Sequence, residues 1–519
     1  VATGGSSAIT LSSTTINANP GKQVFDVTFA TTTAIAAYNV SQTDGTPASF
    51  WWFRNGNGNL YGESFDNDTG DPGSVRFDDS SLVLTIEGTV FSDAGVTPIT
   101  SGTCDGSTDV VRIMVNGVEA DKVPCSNVDG SFSAPGVVVT GDPTITVYLD
   151  NASGGQRGSV ITRTPTADIT NLDIYANRVI VRNEDTAPLT IANLGVFDYD
   201  NDTDLRFVAA TTTDPDTLTT LSGTELFVFD SATFAPGGNI TLSGNAGGNS
   251  YDGTLYIDDN ATFTGAGTST YTVGGRFVLD TGATFTSAST SVVMNATTTG
   301  KSVTASASVS FYNLSFTGSG GGWNIGADIV VGDDMLVSAG TVTGTEDITI
   351  SNGSLSGNGV LSLGGGTTTL AVSNTLGGTS PWTFYNLQLG NGSAVGTTTP
   401  AFTSTTTVSS RLTIANAHFL DAGDTDWNLS GTGTVFVETG TFLEDTSRIR
   451  YSGNSSNVLS TQYYDLDINA AAGTPTYTAV GIGTIVTNDL TVGGTAPTTF
   501  NINTNDPLYV INGDVSVRS

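Results

Sequence analysis

The segment DYDNDTD at residues 198–204 is where this chain concentrates its ionisable chemistry. Asp198, Asp200, Asp202 and Asp204 alternate there with Tyr199, Asn201 and Thr203. Calcium takes roughly six to eight oxygen ligands, and alternate carboxylates in a tight loop can bring several of them to one centre. A second segment, FDNDTGDPG, offers Asp66, Asn67, Asp68 and Asp71, and a weaker third offers Asp421, Asp424 and Asp426. None has EF-hand spacing, because the central glycine and distal glutamate are missing. Asp and Asn are also ordinary turn residues, so solvated turns are the competing reading. Calcium is the expected cofactor, at 198–204 first and at 66–71 second.

Other reactive side chains are sparse. The single histidine, His418, has no serine in a nucleophile-elbow glycine pattern to serve. Paired carboxylates for glycoside hydrolysis arise by accident in a chain with 49 acidic residues and carry little information. A uronate lyase wants basic residues; Arg448 with Arg450, or Arg178 with Arg182, are the suggestive pairs, and surface ion pairing explains them better. GSGGGW at 318–323 lacks a lysine and a following helix, so it reads as a turn. The chain is not expected to be an enzyme. Its two cysteines, Cys104 and Cys125, are expected to form a disulfide worth roughly 3 kcal/mol in the chain-entropy model; zinc would need more ligands at that spacing.

The elements that would position these groups are strands. Hydrophobic residues make up 37% of the 519, and 64 glycines with many Thr, Ser and Asn fill the gaps between short β-branched or aromatic runs such as Val137–Val139 and Phe227–Phe229. The fold class is all-β. Residues 1–81 read as an N-terminal β-sandwich-like domain carrying an aromatic patch, in which Trp51 and Trp52 would face opposite sides of a strand, one of them free to contact glycan or a neighbouring subunit. Residues 82–165 read as an immunoglobulin-like or transthyretin-like module with the disulfide.

Residues 166–519 read as a long parallel β-helix, or β-solenoid. FVFDSATF, LYIDDNATF and FVLDTGATF set Phe234, Phe263 and Phe285 at steps of 263 − 234 = 29 and 285 − 263 = 22, a reasonable length for one coil, so the rings would stack as a ladder. At roughly 24 residues per turn this gives about 14 turns and a rod near 70 Å. A longer repeat overlies it: FYNLSF, FYNLQL and YYDLDI set Tyr312, Tyr385 and Tyr464 at steps of 385 − 312 = 73 and 464 − 385 = 79. The last residues, LYVINGDVSVRS, alternate like a strand, so either the chain continues or something stacks there.

A formal charge of −33 repels nucleic-acid phosphate and anionic lipid, and attracts cations. No stretch has the apolar length of a membrane span, and no signal peptide stands at Val1, as expected of a mature secreted chain.

The boxes GTVFSDAG, VRIMVNGV, DGSFSAPGVVVTGDPTITVYLD, TNLDIYANRVIVRNED and TFAPGGNITLSG, with the three aromatic boxes above, resemble a group of very large repetitive surface proteins of candidate-phylum, ultra-small bacteria. The resemblance covers residues 82–519 and implies secretion and a surface or fibre role, with no catalytic site to carry over. The expected function is therefore a secreted structural protein that joins copies of itself head to tail into a cell-surface filament or layer, by strand pairing or stacking assisted by calcium. A glycan- or cell-binding adhesin is the second expectation, and a polysaccharide lyase or hydrolase the third.

Overall fold

The computed structural model describes residues 50–54, 60–64, 81–244, 249–502 and 508–518. Within it the chain is 49% strand and 1% helix, as its β-branched runs between turn residues require. It divides into two compact units, residues 1–206 and 207–519. Most of the expected N-terminal domain, including Asp66, Asn67, Asp68 and Asp71, lies outside the described residues.

In the first unit, Phe50–Arg54 pairs antiparallel with Leu60–Ser64, which pairs with Ser81–Phe91, which pairs with Ser131–Thr140. Ser131–Thr140 alternates buried and exposed residues along most of its length, the mark of a sheet with one wet face. A second antiparallel set runs Val118–Pro124, Asp109–Val115, Thr144–Leu149 and Ser159–Arg163. Thr144–Leu149 is buried along its whole length. Cys104 and Cys125 form the expected disulfide. Both cysteines are buried just outside the hairpin Asp109–Pro124, where Gly106 N–H donates to the Cys125 carbonyl at 3.0 Å, so the bridge closes the open end of that hairpin.

Parallel winding begins at residue 159, ahead of the boundary at 166 suggested by the sequence, and amounts to about 16 turns. Its first step pairs Arg178–Val181 with Ser159–Arg163. The turn count exceeds the expectation because several coils are shorter than the average assumed from the Thr-Phe steps. Ile329 pairs with Ile348, a step of 348 − 329 = 19, and Leu314 with Met335, a step of 335 − 314 = 21.

One coil of the second unit illustrates the construction. Leu255–Ile257, Thr262–Thr264 and Thr270–Val273 lie on three successive faces, and the next coil repeats them as Phe277–Leu279, Thr284–Thr286 and Ser291–Met294 in unbroken parallel register. The faces grow into a twelve-stranded sheet, a three-stranded sheet and a second long parallel run. Alternation sends every second side chain inward. Phe234, Phe263 and Phe285 are in direct register, with ring centroids 5.6 and 5.5 Å apart, and Tyr271 and Phe277 close on them at 5.2 and 5.1 Å. Each buried ring contributes about 1.5–3 kcal/mol by leaving water, and each edge contact about 0.5–1.5 kcal/mol more.

Coils meet so closely at some corners that only glycine fits. A Cβ on Gly378 would land on the carbonyl oxygen of Gly357 one coil back, and one on Gly453 on that of Gly431. The three aromatic boxes share an in–out pattern rather than a place. Phe311, Phe384 and Tyr463 are buried, the following tyrosines are partly or fully exposed, and Leu314, Leu387 and Leu466 are buried again. Yet NLSF at 313–316 lies in the twelve-stranded sheet, whereas NLQL at 386–389 lies in the other run.

Replacing Phe263 by Ala should cost about 3–5 kcal/mol of unfolding free energy, because it empties the centre of the ring ladder. The same change at Phe419, whose side chain faces outward, should cost under about 1 kcal/mol. Thermal or denaturant unfolding of the two variants checks this.

Candidate functional site

The loop 198–204 follows the short helix Ile191–Leu194, whose first turn is fixed by a capping box between Thr190 and Asn193. Phe197 then packs on Tyr148 at 5.9 Å. The loop closes on itself. The Asp198 carbonyl accepts from Asn201 and Asp202 N–H, the Asp198 carboxylate accepts from Asp200 N–H at 3.0 Å, and Asn201 Oδ1 accepts from Asp198 N–H at 3.0 Å. Asp200 is exposed.

Asp202 and Asp204 turn toward the neighbouring strands and meet Asp150, which directly follows Thr144–Leu149. Oxygens of these three carboxylates lie within 4.8 Å of one another. Asp202 Oδ2 accepts from Tyr148 OH at 2.7 Å and from Arg112 Nη1 at 3.1 Å. Asp204 Oδ1 sits 2.9 Å from Arg157 Nε, and its Oδ2 takes the Asn151 N–H. Asp150 Oδ2 sits 2.6 Å from Lys122 Nζ and 3.5 Å from Arg112 Nη1. Thus the four alternating aspartates do not gather at one centre. Two of them join a carboxylate supplied by a different strand end, that of Asp150, and three cationic side chains of the chain itself face the group.

This arrangement locks the loop to the strands. Burial pushes the Tyr148 hydroxyl well above the ordinary phenol range, which keeps it a donor to Asp202. The hydrogen bond from Arg112 to Tyr148 is the first cause holding the guanidinium charged. Asp150 is 1% exposed at its side chain, so losing Lys122 would leave its buried charge to the more distant Arg112 alone.

A second acidic group lies in the solenoid turns. Asp258 and Asp280 follow register-paired Ile257 and Leu279, which stacks them in adjacent coils, and with Asp259 they form another group within 4.8 Å. Tyr256 OH donates to Asp280 Oδ2 at 2.6 Å, the main cause lowering that carboxyl's pKa. Asp258 is pushed the other way, first by burial and also by the like charges of Asp259, Asp230 and Asp280. This group is legible in LYIDDN and FVLDTG only once the coil length is known. The third acidic stretch, Asp421 to Asp426, splits: Asp421 faces Asp445 of the next coil and hydrogen-bonds to it, which raises its pKa, while Asp426 lies 3.6 Å from Arg448.

His418 is fully buried, with Nε2 2.9 Å from Thr398 Oγ1 and Nδ1 without a partner. Burial lowers its pKa. Arg450 Nε pairs with Asp467 at 2.8 Å, Arg182 Nε with Glu184 at 2.8 Å and Arg448 with Asp426, while Arg178 Nη1 donates to the Ala176 carbonyl at 3.0 Å. A hollow of about 470 Å³ in the first unit, between Phe132 and Asn171, has Glu87 as its single ionisable side chain. Trp51 and Trp52 lie in the strand Phe50–Arg54, opposite Glu63 and Gly62; their side chains lie outside the described residues. No helix among the described residues is long and apolar enough to cross a membrane.

Compared with known proteins, the chain matches no family model, no curated protein and no solved structure.

Three outcomes are expected. Asp202→Asn should destabilise the first unit by about 2–4 kcal/mol, read by denaturant unfolding, because it removes the charge opposite Arg112 and leaves one oxygen where Tyr148 and Arg112 on one side and Asp204 N–H on the other use two. A neutral histidine held in the folded state binds its proton more readily when unfolded, so stability is complete above the unfolded pKa of about 6.5 and is lost as pH falls below it. Melting temperature should therefore drop more between pH 7 and 5 for the natural chain than for His418→Gln. The raised Asp258 has the opposite sign, its ionisation costing stability as pH rises; Asp258→Asn should raise stability at pH 7 without divalent ions by about 0.5–1 kcal/mol.

Proposed function

We propose that this chain is a secreted structural protein that joins copies of itself head to tail into a cell-surface filament or surface layer, with calcium relieving charge at its acidic turns. The observation that carries the reading is the coil ladder. Successive coils of the second unit are held by parallel pairing, in register apart from a bulge between Phe384 and Asn386, from Thr217–Thr220 on Asn239–Leu242 to Leu490–Val492 on Val515–Val517. Such a coil is a template for another: its edge offers backbone donors and acceptors and a row of inward side chains that a further strand satisfies. Because the contact is directional and joins unlike ends, it propagates without closing.

Charge supports the calcium part. At −33, copies of the chain repel one another, and the stacked group Asp258, Asp259 and Asp280 gathers like charges in adjacent coils. Asp150, Asp202 and Asp204 are the weaker candidates, since Arg112, Lys122 and Arg157 already neutralise them. Extracellular placement fits the buried disulfide, a bond that persists in oxidising compartments.

Light scattering during assembly, with and without residues 1–16 and with and without chelator, tests the proposal. Deletion should leave monomers if an N-terminal strand is donated, and chelation should weaken the polymer. Undiminished polymer after deletion sinks strand donation, and polymer indifferent to excess chelator sinks the role of calcium.

A further inference from the structure

We infer that the outward face of the twelve-stranded sheet is a lateral docking surface for a second copy of this chain. The inference rests on the self-assembly reading and adds the face through which filaments become a layer.

The first ground is where the charge is not. The twelve strands of this sheet contain no Lys, Arg or Glu, and Asp421 is their one carboxylate. Many acidic residues of the same coils sit between strands, as Asp258, Asp280 and Asp347 do. Over the same stretch of coils, residues 207–443, the long run differs, because its strands carry Glu225, Lys301, Arg411, Asp426 and Glu438. Two bodies of charge −33 approach at least cost through the faces that bear almost none, leaving acidic turns in water where salt screens them over about 8 Å.

The second ground is regularity. Parallel register sets Thr219, Thr241, Thr272, Val293, Ser315 and Leu336 in one outward row, each on the next coil. Mostly short hydroxyl and methyl groups at this constant spacing make a surface with little side-chain entropy to lose on contact. Farther along, Phe419 and Leu443 are 37% and 44% exposed on the same face. Twelve strands about 4.8 Å apart span about 53 Å, and an outward strip about 13 Å wide gives roughly 700 Å² per copy. That is close to the roughly 800 Å² per partner of a standard specific interface. An uncharged polysaccharide is the other occupant such a face would suit, and the experiment separates the two.

The test uses two triple variants of the whole chain, one with Thr241→Asp, Thr272→Asp and Ser315→Asp, the other with the same three residues changed to Lys. All three positions face outward, and circular dichroism melts verify the fold. Sedimentation velocity should show side-by-side association weakened at least tenfold in each variant alone and restored when the two are mixed in equal amounts. Thr343→Asp, Ser362→Asp and Thr383→Asp, in register on the opposite run, should leave it unchanged. Association indifferent to both triples, a natural chain that never associates side by side, or binding of neutral glycan without self-association would each overturn the inference. Failure of head-to-tail joining is seen separately, since deletion of residues 1–16 leaves this face intact.

Discussion

Parallel in-register pairing between successive coils is the constraint on which everything else in the second unit depends. A strand that must place each residue over its counterpart one coil back inherits that counterpart's direction, inward or outward. Phe234, Phe263 and Phe285 are a ring ladder for this reason, and Thr219, Thr241 and Thr272 an outward row for the same reason. Length variation is taken up between strands: the step is 277 − 255 = 22 from Leu255 to Phe277 and 348 − 329 = 19 from Ile329 to Ile348, with strand register kept in both. Glycine appears where the ladder brings backbone against backbone, as at Gly378 and Gly453.

Charge is arranged in two ways. In the first unit, Asp150, Asp202 and Asp204 are drawn into partly buried contact with Arg112, Lys122 and Arg157, so the acidic loop is neutralised and tied down. In the solenoid, stacking repeats an acidic turn directly above another, and Asp258 and Asp280 meet as like charges. The twelve-stranded sheet stays nearly free of charge while the turns concentrate it. A solenoid built this way has sides of unequal character, a property a surface polymer can use.

Much of this was legible in the sequence. The all-β class follows from β-branched runs between glycines, the disulfide from two cysteines within one block, and the phenylalanine ladder from the spacing of three Thr-Phe steps. The site was harder to read. Alternating aspartates at 198–204 suggested one centre, but the turn consumes Asp198 for its own backbone, and Asp150, which completes the carboxylate group, is brought there by tertiary pairing that no local spacing reveals. The three recurring aromatic boxes marked repetition without marking equivalent places, since the pattern aromatic-in, tyrosine-out, leucine-in occurs both across a break between strands, at 311–316, and inside one strand, at 384–389. The extra turns leave no such mark, because a coil as short as the one from Ile329 to Ile348 carries no Thr-Phe step to announce it.

Electron microscopy of the purified chain in calcium is the most direct measurement of the central claim that this solenoid is a building block. The account predicts regular filaments or sheets with an axial spacing set by one subunit. Dispersed single particles at every concentration, with calcium present, would contradict it.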